Sequence, residues 1–178
     1  MLNEVKSRKA GKKLFKLIGM IVNTLLIVHS ASASTNVSGT IGTDTVWNTA
    51  GSPYIVTGNV VVDTLITLTI QPGVEVKIDS AKYIMVKGTL NASATATDSI
   101  IITKNGTARW DRLWFKPASS CSLKYCRIEY ANSSAIYNDG GSIYISYNTI
   151  SNNSADYGGG IYNYYGGIYN YYGTMENN

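Results

Sequence analysis

Ile136-Tyr137-Asn138, Ile161-Tyr162-Asn163 and Ile168-Tyr169-Asn170 are three copies of one phrase, and their spacing decides the fold. The first interval is 25 residues. Just upstream, Leu123, Tyr125 and Ile128 have counterparts 22 positions later in Ile145, Tyr147 and Ile150. A period in the low twenties is the length of one coil of a β-solenoid, where each coil lies on the one before and like residues stack on like. Tyr125 is therefore expected on Tyr147, and Ile128 on Ile150. The third copy follows the second after only seven residues, too few for a coil. That spacing predicts a local tandem duplication that lengthens one turn.

Outward from this stretch, the chain is a series of short strand-like runs. Tyr54–Val62 is the first, after Pro53. In Leu65–Ile70, Ile66, Leu68 and Ile70 lie on one face and Leu65, Thr67 and Thr69 on the other, and Pro72-Gly73 marks a turn. Val74, Val76 and Ile78 then face one way, with Glu75 and Lys77 the other. Further strands are expected at Tyr83–Val86, Ile100–Ile102, Trp110–Phe115, Leu123–Ile128 and Ile143–Ile150. No amphipathic helical period occurs after residue 33, and β-branched and aromatic residues dominate these runs. The fold class is all-β. The 22-residue register and the lack of compact hairpin signals favour a parallel solenoid over a sandwich or barrel.

Residues 1–33 carry a different message. Lys6, Arg8, Lys9, Lys12, Lys13 and Lys16 precede an apolar run from Leu17 to Val28, and Ala31-Ser32-Ala33 supplies small residues at an exit. This is the pattern of a secretory signal peptide cut after Ala33. This run of twelve residues, interrupted by Asn23 and Thr24, reaches about 18 Å as helix, short of the ~30 Å hydrocarbon core, so a transmembrane anchor is not expected. Residues 34–53 read as a polar lead-in and N-terminal cap, and 54–178 as coils. Because a solenoid needs capped ends, the sequence reads as a fragment of a longer protein, with an open edge that favours end-to-end self-association.

The leader also distorts the charge. It holds six of the 15 basic residues and one of the 11 acids, so 9 and 10 remain and the net charge falls from +4 to −1. Nucleic acid is thus not an expected partner. The sole histidine, His29, lies in the leader. No Ser-His-Asp triad, Cys-His dyad or His-ligated zinc site can be assembled from the rest. Asp111, Glu129, Asp139 and Asp156 are scattered, and Arg109, Arg112, Lys124 and Arg127 are the only candidates for a base among them. Arg127 and Glu129 share one strand face, which fits a solvent-exposed ion pair. No catalytic residue, metal ligand or cofactor is assigned. Cys121 and Cys126 either pair as a disulfide of an exported chain or sit inward, Cys126 in register with Asn148.

The tail concentrates tyrosine among Asn and Gly. Tyr162, Tyr164, Tyr165, Tyr169, Tyr171 and Tyr172 are candidate ligand platforms, since a phenol offers a flat apolar face with a polar rim. Stacking between coils is the competing role for the same rings. Trp47, Trp110 and Trp114 fit core or cap positions better.

Several motifs carry a resemblance. Trp47, Ser52-Pro53-Tyr54-Ile55-Val56, Gly58-Asn59-Val60-Val61-Val62 and Leu68-Thr69-Ile70-Gln71-Pro72-Gly73-Val74-Glu75-Val76-Lys77 resemble the entry coils of secreted microbial right-handed parallel β-helix proteins, of the pectate-lyase-like superfamily. Trp110 with Leu113-Trp114-Phe115 looks like their tryptophan-led strand. Ile150-Ser151-Asn152-Asn153-Ser154-Ala155, leading into Gly158-Gly159-Gly160-Ile161-Tyr162-Asn163, is similar to repeats of polymorphic outer-membrane and adhesin-like proteins. The resemblance implies a right-handed coil, in keeping with the chirality of parallel crossovers. It also implies a secreted or cell-surface, non-enzymatic, structural or adhesive module whose partners are polysaccharides or surface proteins. The alternative it implies is the N-terminal piece of a polysaccharide lyase or glycoside hydrolase. Hydrolases of that fold use adjacent aspartates with Gly-His-Gly and Arg-Ile-Lys segments, none of which occurs here.

Overall fold

Alternation of apolar and polar residues gives each short strand one face to bury, and a coil buries it by wrapping that face around a shared axis. The computed structural model describes residues 34–171, 173–176 and 178. The leader, its cleavage point at Ala33 and Tyr172 lie outside the described residues. In chain order the strands are β1 (Thr35–Ile41), β2 (Thr45–Trp47), β3 (Tyr54–Val62), β4 (Thr67–Ile70), β5 (Glu75–Ile78), β6 (Ile84–Val86) and β7 (Thr89–Ser93). They continue as β8 (Ile100–Lys104), β9 (Leu113–Phe115), β10 (Ser120–Lys124), β11 (Cys126–Glu129), β12 (Ile136–Ser146), β13 (Thr149–Ser151), β14 (Ile161–Tyr171) and β15 (Thr174–Glu176). All pair in parallel, in a β-solenoid of about 6 turns.

The coil has three sides. The first stacks the starts of β1 and β3, then β5, β8, β11, β13 and β15. The second stacks the ends of β1 and β3, then β6, β9 and the first parts of β12 and β14. The third stacks β2, β4, β7, β10 and the second parts of β12 and β14. Inward residues form columns such as Tyr54, Val76, Ile102, Ile128 and Ile150, all buried. Residues read as the lead-in, 34–53, already contribute β1 and β2 to the first coil.

Ile128 lies on Ile150, and Tyr125 stacks on Tyr147 with ring centres 4.8 Å apart. The uninterrupted strands expected at Leu123–Ile128 and Ile143–Ile150 are instead broken at those tyrosines. Tyr125 (φ 51°) and Tyr147 (φ 57°) take the left-handed conformation and turn the chain from the third side to the first. Likewise, only Leu113–Phe115 of the expected Trp110–Phe115 run is strand, and Trp110 makes a lone bridge to Ala131 in the loop after β11.

The seven-residue repeat is not an extra piece of coil. Ile161, Tyr162 and Asn163 stack on Ile136, Tyr137 and Asn138, while Ile168 and Tyr169 stack on Ile143 and Tyr144. Seven residues is therefore the step from the second side to the third, already present in β12. Gly166, at φ +99°, makes that corner in β14; a Cβ there would lie 2.3 Å from the Gly141 carbonyl oxygen of the coil below. The true lengthening, from 22 to 25 residues, falls in the loop 152–160, longer than its counterpart 130–135.

Asparagines close the corners from inside. Asn148 Oδ1 accepts from Cys126 N at 2.7 Å while its Nδ2 donates to the Leu123 carbonyl at 2.9 Å. Asn153 does the same for Ala131 N and the Ile128 carbonyl, and Asn178 Nδ2 reaches the Ile150 carbonyl one coil on. The buried amides of Asn148 and Asn153 satisfy backbone groups that a corner removes from the sheet ladder.

Gly88 is a second close approach, confined by two backbone carbonyls at once. It is buried, and a Cβ would lie 2.3 Å from the carbonyl oxygens of both Asp63 and Ile66. Those carbonyls cannot retreat freely, because Thr89 N donates to Ile66 O at 2.8 Å. Gly88→Ala is expected to lower stability by about 1–3 kcal/mol. Urea unfolding checks this; an unchanged midpoint would mean that the turn relaxes at no cost.

Candidate aromatic face and corner groove

Strand alternation puts every second residue outside, and stacking of coils lines those residues up. On the second side this produces an aromatic ladder. Tyr83 meets the edge of Trp114 at 6.1 Å, Trp114 meets Tyr137 at 6.1 Å, and Tyr137 lies 5.3 Å from Tyr162. Tyr157, from the loop before β14, adds a ring 6.3 Å from Tyr162. Cations lie along the ladder. Arg112 is 4.9 Å from the Tyr137 ring centre, and Lys116 is 4.6 Å from that of Trp114. Each is held by a carboxylate: Arg112 Nε by Asp111 Oδ1 at 3.0 Å, and Lys116 Nζ by Asp139.

Beside the ladder, the loops between the first and second sides leave a groove of about 630 Å³. Arg112, Tyr137, Tyr157 and Tyr162 line it on the aromatic side, and Asn132, Ser133, Ser134 and Asp156 are among its polar lining. A second recess of about 390 Å³ shares Asn132 and Ser133 with it and extends it toward Ser80 and Arg109. The loops themselves are laddered: Asn132 N donates to Trp110 O at 2.8 Å, and Ser154 N to Ala131 O at 2.9 Å. Arg109 is turned inward, donating to the carbonyls of Ala131 and Asn152. The groove therefore has ordered walls contributed by successive coils.

The six tail tyrosines do not form one platform. Tyr162 is half-buried in the second-side ladder. Tyr164 and Tyr165 are exposed at the next corner, edge to face with ring centres 4.3 Å apart. Their hydrogen bond pushes the Tyr164 phenol above its ordinary value. Tyr169 is on the third side, stacked on Tyr144 at 4.8 Å. Tyr171 ends β14 on that same side, and Tyr172 is outside the described residues. Sequence reasoning missed Tyr137, Trp114 and Arg112 as neighbours of Tyr162. The signal was present: Trp114 and Tyr137 occupy one outward column, 23 positions apart.

The acids stay dispersed. Among the described residues no three His, Cys, Asp or Glu side chains come together. Arg127 and Glu129 do form an ion pair, at 3.7 Å, but Glu129 is mostly buried and also accepts from Thr103 at 3.2 Å. No helix of the described residues is long and apolar enough to cross a membrane.

Both thiols are free and buried, in place of the disulfide considered from the sequence. The physical reason is the corner at Tyr125. Cys121 is on the third side in a column with Leu90 and Ile143, while Cys126 begins the first side and donates to the Ala92 carbonyl at 3.3 Å. Burial pushes Cys126 from 9.0 up to about 12 and Cys121 well above its ordinary value. The folded state thus holds these protons more tightly than the unfolded chain. Their contribution to stability is complete below pH ~9 and is lost as pH rises from ~9 through about 12. The native protein is expected to resist a thiol-specific disulfide reagent at pH 8 and to react at both cysteines in denaturant. Rapid labelling of the native chain would contradict this burial.

Searches of protein-family models, of curated proteins and of solved structures found no match to this chain.

Proposed function

We propose that this β-helix is a non-enzymatic secreted or cell-surface module, structural or adhesive, which contacts glycans through the second-side aromatic ladder and the groove beside it. The observation that carries this reading is the row Trp114, Tyr137 and Tyr162, repeated at the spacing of the coils beside a polar trough. Aromatic rings stack on the apolar faces of sugars, and hydroxyl and amide side chains satisfy the rims. A ladder fixed by a parallel solenoid presents those groups with little ordering cost on binding. The likeness of the repeats to adhesin-like β-helices, and the leader pattern of residues 1–33, support placement at the cell surface or outside the cell.

A glycan array probed with the purified full-length chain tests the reading, with a parallel assay for release of unsaturated uronates from pectins. Retention on sugars without turnover is the expected result. Uronate release would replace it with a lyase, and retention on no glycan would remove the glycan role.

A further inference from the structure

We infer that the corner groove takes a neutral, extended oligosaccharide lying parallel to the solenoid axis, and that it discriminates against polyuronates. This rests on the glycan-contacting reading above and narrows it.

Direction comes from the loops. Residues 105–112, 130–135 and 152–160 lie coil upon coil, so successive loops wall the groove along the axis at about 4.8 Å per coil. That step is close to the advance of one pyranose along an extended chain. Successive sugars can therefore each meet the loop of one coil. Tyr137, Tyr157 and Tyr162 supply the stacking faces at one end, with centres 5.3 Å and 6.3 Å from one another along the Tyr137–Tyr162–Tyr157 path. Asn132, Ser133 and Ser154 supply neutral donors and acceptors of the kind that pair with hydroxyls.

Selectivity comes from charge. Among the described residues Arg112 is the one cation lining the groove, and Asp111 holds it at 3.0 Å. Asp156 adds an exposed negative charge to the lining. In the adjoining recess Arg109 Nη1 donates to the carbonyls of Ala131 and Asn152. Taken together, Arg109 and Arg112 are balanced by Asp111 and Asp156. A polyuronate would bring one carboxylate per sugar into a trough with no surplus positive charge, whereas a neutral chain loses nothing there.

Isothermal titration of the full-length chain tests this, using neutral β-linked gluco-, manno- and xylo-oligosaccharides and an oligogalacturonate of equal length. At least one neutral ligand is expected to bind about tenfold or more tightly than the oligogalacturonate, with affinity nearly independent of salt. Tyr162→Ala and Tyr157→Ala are each expected to weaken it by about tenfold. Tyr162→Phe keeps the ring and is expected to retain most of the affinity, which separates stacking from a folding defect. Tyr169→Ala, on the third side, is expected to stay within twofold of the parent. Preference for the uronate, or a loss at Tyr169 equal to that at Tyr162, would overturn the groove assignment while leaving glycan contact standing. Binding to none of the sugars would overturn both.

Discussion

Trp110→Ala is expected to lower the unfolding free energy by about 3–5 kcal/mol, the largest effect of any single change considered. Trp110 is 0 % exposed and fills the inside of the corner between the first and second sides. It does so from a loop, so no sheet ladder holds its backbone in place. Its indole Nε1 donates to the Glu129 carbonyl at 2.8 Å, its own carbonyl accepts from Asn132, and it bridges Ala131. Truncation would open a cavity in a close-packed interior and strand the Glu129 carbonyl at once. Because Asn132 lines the groove, the same change should loosen the binding wall. Trp110→Phe retains most of the apolar volume and is expected to cost less, about 1–2 kcal/mol. Urea unfolding of both variants decides the matter. A loss below about 1 kcal/mol for the alanine variant would mean that the loop, and not the core, is where Trp110 acts.

Asn148→Leu should destabilise by about 2–4 kcal/mol despite a nearly unchanged volume. The apolar replacement leaves Cys126 N and the Leu123 carbonyl buried without partners, and each such group costs about 1–3 kcal/mol. Asn163 provides the contrast. It is exposed; its Nδ2 donates to the Gly166 carbonyl at 3.2 Å, where water can take its place, and its Oδ1 accepts from Asn138 Nδ2 at 2.9 Å, a nitrogen that keeps its other bond to the Gly141 carbonyl. Asn163→Ala is therefore expected to cost much less. Equal losses at the two positions, read from thermal or urea unfolding, would show that burial of the amide does not set its worth.

The scaffold was legible in the sequence because a solenoid writes its vertical neighbours at nearly constant spacing. Ile128 over Ile150 and Tyr125 over Tyr147 follow from that period alone. Strand ends were not legible. Tyr125 and Tyr147 turn corners in a left-handed conformation that tyrosine adopts uncommonly, so nothing in the residue type announces the break. The seven-residue phrase misled for a related reason: it measures distance around the coil, and the longer period measures distance along the axis. The tail tyrosines were seen as one cluster because they are close in sequence. Tyr162 and Tyr169 point from different sides, and the nearest aromatic neighbour of Tyr162 on its own side is Tyr137, 25 positions back.

The three corners differ in what they tolerate. From third side to first, the connection is residues 48–53, 71–74 and 94–99 in the early coils and contracts to Tyr125 alone between β10 and β11, where an added residue would have to bulge outward for the strands to stay in step. From first side to second, the connection spans residues 79–83, 105–112, 130–135 and 152–160 in successive coils, varying in length while the strands on either side stay aligned. That corner is also where the groove lies. Heritable change can therefore reshape what the molecule touches, by insertion, deletion or exchange of loop residues, without renegotiating what holds it up. The same separation makes this edge the natural place to graft a foreign recognition loop onto the rod.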